Sequence, residues 1–212
     1  IHRAALFAAG VNMSVWAIIP VKPLNRSKTR LAPVLSPEER QKLAETMFRH
    51  VLETVRMTHN ILGTLVISRD SRALAIARDY GARTVQESGA PELNGALARA
   101  TQVLVRWHVR AILVLPADLP LIAPDDLASI VRMGDSDRSV VLATDQHGDG
   151  TNAMFMRPPG LIPYAYGIGS FERHYQMAVE AGADVQVYRS DRMMLDVDLP
   201  SDLETYNAMV HS

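Results

Sequence analysis

The chain has 212 residues, 48% of them hydrophobic, with a formal net charge of -1. That is enough for one sizeable core in a single domain, and the near-neutral charge excludes a general basic field for nucleic acid or an anionic membrane. Cysteine is absent, which excludes disulfides, thiolate metal sites and a cysteine nucleophile and fits a cytoplasmic protein.

The opening residues, IHRAALFAAGVN, join one Arg to a short apolar stretch, a weak likeness to a secretory leader. Met13 follows at once, and MSVWAIIPV enters a strand directly. Residues 1–12 therefore read as an unstructured N-terminal extension, and 13–212 as one domain. No apolar run reaches the roughly 18 residues that a membrane-crossing helix needs.

The first strand is expected at 15–20, and PVKPLNRSKTRL follows it. This segment holds Lys22, Arg26, Lys28 and Arg30 with no acid before Glu38, and prolines at 20, 23 and 33 predict a stiff loop rather than a helix. In a near-neutral chain that is a local concentration of cations, suited to the charge of a nucleoside triphosphate. The plainer reading is a solvated basic loop. It contains no glycine, so it is not a Walker-type phosphate loop. Ser36, Pro37 and Glu39 then spell the start of a helix over 36–58, with Ser36 as N-cap and Glu39 closing a capping box.

Strand 62–68 and helix 71–80 follow, with Gly81 where the helix must stop. A strand at 83–86 and a helix at 93–107 precede AILVLP at 111–116, apolar throughout and so buried on both faces. LPADLPLIAPDDL (115–127) places Asp118 just past that buried strand. A carboxylate there can hold Mg²⁺ through one or two oxygens, or can end the strand with a turn hydrogen bond. Asp125 and Asp126 are explained as first-turn acids of a helix over 124–133.

Strands at 138–144 and 153–157 are joined by TDQHGDGTN without a helix, which predicts an antiparallel pair. GDGTN (148–152) and YGIGSFERH (166–174) are glycine-punctuated loops that carry hydroxyls. Gly167, Gly169 and Ser170 precede a helix over 170–182, whose first amides can bind an anion, with Thr151 adding a hydroxyl. Ordinary turns with Ser170 as N-cap would give the same pattern, and His174 reads as structural. After a strand at 184–188, DVDLPSDL (196–203) offers Asp196 or Asp198 as a second metal ligand. The other acid, or Ser201, would cap the helix over 200–210; capping by both acids is the competing explanation.

The alternation of strands and helices predicts an α/β fold, a three-layer, mostly parallel mixed sheet. In such sheets ligands bind beyond the carboxyl ends of the strands, where strand order reverses.

Taken in order, PVKPLNRSKTRLAPVLSPEER, ELNGALARA, ADLPLI, GDGTNAMFM, YGIGSFERH and DVDLPSDL resemble the family of 2-phospho-L-lactate and phosphoenolpyruvate guanylyltransferases. The likeness runs from about Met13 to the C-terminus. It implies a glycosyltransferase-A-like nucleotidyltransferase fold and transfer of GMP from GTP to a small phosphorylated acid, with release of pyrophosphate, on the path to coenzyme F-420. By the same likeness, Lys22, Lys28 and Arg30 form the nucleotide-phosphate loop, with Glu92 and Asn94 near the nucleotide. Thr151, Gly167 and Ser170 bind the acid, and Asp118 with Asp196 and Asp198 binds Mg²⁺. The residues do not choose among phosphoenolpyruvate, 2-phospho-L-lactate and 3-phosphoglycerate, and a homodimer stays open. The rivals are a nucleotidyltransferase for a molybdopterin-type acceptor, which would carry a glycine-rich first loop, and a non-catalytic nucleotide-binding regulator.

Overall fold

A computed structural model describes residues 14–88 and 92–210. The expected extension at 1–12 lies outside them. The apolar run VWAIIPV forms β1 (Val15–Val21), and the chain then alternates as expected: α1 (Pro37–Met57), β2 (Ile61–Ser68), α2 (Ser71–Asp79), β3 (Arg83–Gln86), α3 (Leu93–Arg106), β4 (Ala111–Val114) and α4 (Pro124–Met133). The second half comprises β5 (Ser139–Thr144), β6 (Thr151–Arg157), α5 (Ser170–Glu180), β7 (Asp184–Tyr188), α6 (Asp191–Met194) and α7 (Pro200–Val210).

These strands make one sheet in the order β3-β2-β1-β4-β6-β5-β7. Strand β6 is antiparallel to both β4 and β5, while the other pairings are parallel. Side chains on alternate β1 positions explain the three layers. Ala17 and Ile19 pack with Phe48 and Val51 of α1 and Leu127 of α4, while Ile18 packs on the other face with Leu97 and Leu104 of α3. From β1 the chain steps outward to β2 and β3, then returns to place β4 on β1's other side. Strand order therefore reverses between β1 and β4, and the loops leaving these two strands bound the crevice.

Local signals in the sequence account for several boundaries. Ser36 Oγ accepts from Glu39 N–H at 3.2 Å, and the Glu39 carboxylate accepts from Ser36 N–H at 2.8 Å, completing the expected capping box. Gly81 takes φ 79°, with Gly81 N–H donating to Arg78 O and Ala82 N–H to Ala77 O, so α2 ends in a Schellman turn. Helix α4 is entered differently from the expectation of a mere first-turn acid. Asp126 is 0% exposed; it accepts from Ala123 N–H at 2.9 Å, Tyr188 Oη at 2.7 Å, Ser190 Oγ at 3.0 Å and the Arg192 guanidinium at 2.8 and 3.0 Å. Burial alone would raise its carboxyl, but the Arg192 and Tyr188 hydrogen bonds outweigh that and hold it below the ordinary range.

Close approach fixes one glycine. A Cβ on Gly134, at the end of α4, would stand 2.1 Å from the ring of Phe155, which is fully buried in the core of β6. Gly134→Ala must push that ring or the helix end aside. It is expected to cost about 1–3 kcal/mol, measured as a lowered urea midpoint with unchanged slope.

Among the described residues no helix is long and apolar enough to cross a membrane.

Candidate active site

The loop after β1, expected to be stiff rather than helical, has a defined path. It contains two short 3-10 turns, Leu24–Arg26 and Thr29–Leu31, with Lys28 between them in the left-handed region at φ 56°. Three anchors set its path. Leu24 N–H donates to Asp70 Oδ2 at 2.8 Å, the same side chain that caps α2. Leu31 packs with Met47 of α1 and with Leu195 and Val197 of the C-terminal segment. The third anchor is Lys28 itself, whose side chain is only 3% exposed.

The Lys28 ammonium donates to Asp118 Oδ2 at 2.6 Å and to Asp198 Oδ1 at 3.0 Å. Burial would lower its pKa, and the two carboxylates more than reverse this, so it stays charged. A lysine with strained backbone, buried head and two acidic partners from distant segments is a marked feature. Asp198 is pushed up by burial but held low overall by Lys28, Lys22 and Arg30, which shows that all three basic residues act on one point. Asp196 stands behind them. Burial first, then the charges of Asp118 and Asp198, lift its carboxyl to about 6, partly offset by a hydrogen bond from Asn152.

A cleft of about 510 Å³ opens over this group, within the usual range for small-ligand sites. Lys22, Lys28, Arg30, Glu92, Asp118 and Asp198 all line it. Asp196, Asn94, Thr151, Gly167 and Ser170 do not line it. The Asn94 side chain is committed to the Tyr166 backbone instead, accepting from N–H at 2.8 Å and donating to O at 3.4 Å. Glu92 is the N-cap of α3, accepting from Gly95 N–H at 3.0 Å.

Thr151, Gly167 and Ser170 form a second group. Met154 pairs with Val114 across the antiparallel β4–β6 junction, so β6 begins at the end of the sheet from which the Asp118 loop leaves. Asn152 ties the groups together, donating to Met193 O at 3.1 Å and to Asp196. Thr151 N–H donates to Ser170 Oγ at 3.1 Å. Ala165 N–H donates to His174 Nε2 at 2.9 Å, so the imidazole proton sits on Nδ1, which lies 2.9 Å from Thr151 Oγ1. Burial, with a contribution from Arg173, lowers the His174 pKa to about 4, consistent with a neutral ring. Each hydroxyl therefore receives a hydrogen bond and keeps its own proton free to donate. His174 is a positioning residue for Thr151.

Two expectations about this region need correction. Ser170 is not the N-cap of α5: Gly169, at φ 68°, is, and Ser170 is the first helical residue. Nor are the first amides open to an anion. Gly169 N–H donates to the Asp149 carboxylate at 3.1 Å, Ser170 N–H to Gly167 O and Phe171 N–H to Asp149 O. The chain's own Asp149 already satisfies the helix dipole there, which leaves the hydroxyls of Thr151 and Ser170 as donors. At the last helix, neither Asp196, Asp198 nor Ser201 supplies the cap. Asp202, three residues into the turn, accepts from Asp198 N–H at 3.1 Å and Leu199 N–H at 2.7 Å. That frees the Asp198 carboxylate for the cleft.

The sheet order and the crevice beyond its strand ends define an α/β fold shared with known nucleotidyltransferases. Among solved structures, 4-diphosphocytidyl-2C-methyl-D-erythritol synthase from Anaerococcus prevotii matches with a TM-score of 0.67 at 10% identity, covering 95% of this chain and 97% of that one. CMP:2-keto-3-deoxy-manno-octonic acid synthetase, complexed with CTP, matches at 0.62 and 14%, covering 93% and 98%. The family described as "Guanylyl transferase CofC like" matches residues 15–212, and the chain belongs to it. Relatives include the phosphoenolpyruvate guanylyltransferase of Rubrobacter xylanophilus, 38% identical over 92% of this chain and 95% of the relative. The 2-phospho-L-lactate guanylyltransferase of Methanothermobacter thermautotrophicus is 35% identical over 90% and 83%.

Proposed function

We propose that this protein transfers GMP from GTP to a small phosphorylated acid, phosphoenolpyruvate or 2-phospho-L-lactate, and releases pyrophosphate. The observation that carries this reading is the convergence of Asp118 and Asp198 on one cation beneath a cleft rimmed by Lys22 and Arg30. Family membership supports the guanylyl group, and the names of the relatives supply the two acids. The likeness also supports a cytoplasmic place in coenzyme F-420 biosynthesis.

The reaction needs no general base. The acid's phosphate has its second pKa at about 6 and is already an ionised nucleophile near neutral pH. The chain's work is therefore to bring two anions together. Lys22 and Arg30 answer the charge of the β- and γ-phosphates at the rim. Lys28, fixed between its two carboxylates, places a third charge near the α-phosphate. Thr151 and Ser170 donate their free protons to the acid, which approaches from the β6 side of the same sheet end. In-line attack on the α-phosphorus forms the new phosphoanhydride bond as the bond to the pyrophosphate oxygen breaks.

The donor set fits Mg²⁺, which characteristically takes one or two carboxylates and completes its shell with water and phosphate. Among the described residues no three or more His, Asp or Glu side chains form a metal cage. Asp118 and Asp198 would supply the two carboxylates, while the Asp196 carboxyl is raised first by burial and then by their charge. Bound there, Mg²⁺ would neutralise charge on the α-phosphate and the leaving pyrophosphate.

The division of labour between the two groups is tested by Ser170→Ala. It should raise the KM for the acid about tenfold or more, the worth of one hydrogen bond to a charged group, while KM for GTP stays within twofold. Equal changes for both substrates would remove Thr151 and Ser170 from the acid site.

A further inference from the structure

Arg69 directly follows β2 and lines the same cleft as Lys22 and Glu92. Among the described residues its buried Nε and Nη2 have no hydrogen-bond partner, and a turn of the side chain would bring both to the cleft. Buried guanidinium N–H groups without partners are costly, and such an exception in a cleft wall calls for a ligand. Nε–H and Nη2–H are parallel donors on one edge of a rigid plane, made for two neighbouring acceptors.

Position decides which acceptors. The carboxylates that mark the reacting end stand beyond β4 and in the segment before α7, with Lys22, Lys28 and Arg30 around them. Arg69 lies at β2, two strands along from β4, or about 10 Å at the usual strand spacing. The same cleft has apolar lining from Ile67 and from Leu93 and Ala96 of the first turn of α3. A flat ring fits such walls, and a phosphate does not select them. Glu87, past the end of neighbouring β3, also lines the cleft, and its Oε1 is held by Arg99 at 2.6 Å.

We propose that Arg69 reads the purine of the nucleotide, donating from Nε and Nη2 to O6 and N7 of guanine. The proposal rests on the guanylyl reading above and deepens it. Adenine presents a donor amino group where guanine presents O6, so the fork would lose one bond and meet a like dipole. Glu87 reinforces the choice: its carboxylate suits the N1–H and amino donors of guanine and repels the N1 acceptor of adenine.

The test compares kcat/KM for GTP, 7-deaza-GTP and ATP at saturating acid in the wild type, Arg69→Met and Arg69→Lys, each checked by thermal melting. One bidentate base contact corresponds to a discrimination of about 5- to 150-fold. Arg69→Met should lose that much on GTP, lose the wild type's penalty for 7-deaza-GTP, and approach its rate with ATP. The KM for the acid should not move. Arg69→Lys should not restore selectivity, because one ammonium cannot span both acceptors. If Arg69→Met fails to fold, the lysine variant with 7-deaza-GTP carries the same decision. Equal losses on all three nucleotides, or rescue by lysine, would make Arg69 a charge contact and overturn the proposal. A wild type that uses ATP as readily as GTP would overturn the guanylyl reading itself.

Discussion

Asp118→Asn should fold normally and lose at least about a hundredfold in kcat, the scale seen when one preorganised electrostatic contact to a transition state is removed. The amide nearly matches the carboxylate in shape and can still accept from Lys28, whose second partner Asp198 is untouched. The Asp118 side chain is 30% exposed but Lys28 only 3%, so losing this charge should lower the melting temperature somewhat, while Asp198 keeps the ammonium paired. What disappears is one of two negative charges that would hold the metal–nucleotide. Melting temperature and steady-state rate, measured on the same sample, separate the outcomes. Normal turnover with a lowered melting temperature would mean that Asp118 merely ends its strand.

The largest effect on stability should come from a residue away from the chemistry. Asp126→Ala removes the acceptor shared by Tyr188, Ser190, Arg192 and the Ala123 amide. Breaking a buried charge network of this kind costs about 3–5 kcal/mol, or a fall in melting temperature of roughly 10 °C for a domain of this size. Because the Asp126 pKa is depressed in the fold, its charge-dependent stabilisation is fully present above the unfolded carboxylate value of about 4 and is lost as pH falls from there through the lower folded value. Wild type and variant should therefore converge in stability in acid, as read by urea titrations at neutral pH and below pH 4. A constant difference across that range would show that the charge is not what stabilises. The loss should also loosen α6 and the segment that delivers Asp198.

The long periodic segments were legible because apolar alternation and capping residues agree with the tertiary structure. Helix α1, with Ser36 and Glu39, and the buried β4 are the clearest examples. Helix α6 was not read, since four residues with one cap carry no periodic signal. The basic loop was legible as charge but not as shape: its 3-10 turns depend on anchors at Asp70 and Leu195, far off in sequence. The acids at 196–203 were read as site or cap, and one long-range contact and one local one separate the two roles. Lys28 draws Asp198 into the cleft, while Asp202 takes over the capping. The amide cradle at α5 failed for a similar reason, because Asp149 had already filled it. Arg69, placed in the cleft lining by the fold, follows β2 directly, but one basic residue beside Asp70 gave no local contrast in the sequence.

The reaction itself is tested most directly by incubating the protein with GTP, Mg²⁺ and each of phosphoenolpyruvate, 2-phospho-L-lactate and 3-phosphoglycerate, then weighing the products by mass spectrometry. The account predicts an adduct of one GMP with at least one of these acids and one pyrophosphate per adduct, with nothing formed when Mg²⁺ is withheld. GTP consumption that ignores the acid, or that yields GDP and inorganic phosphate, would contradict it.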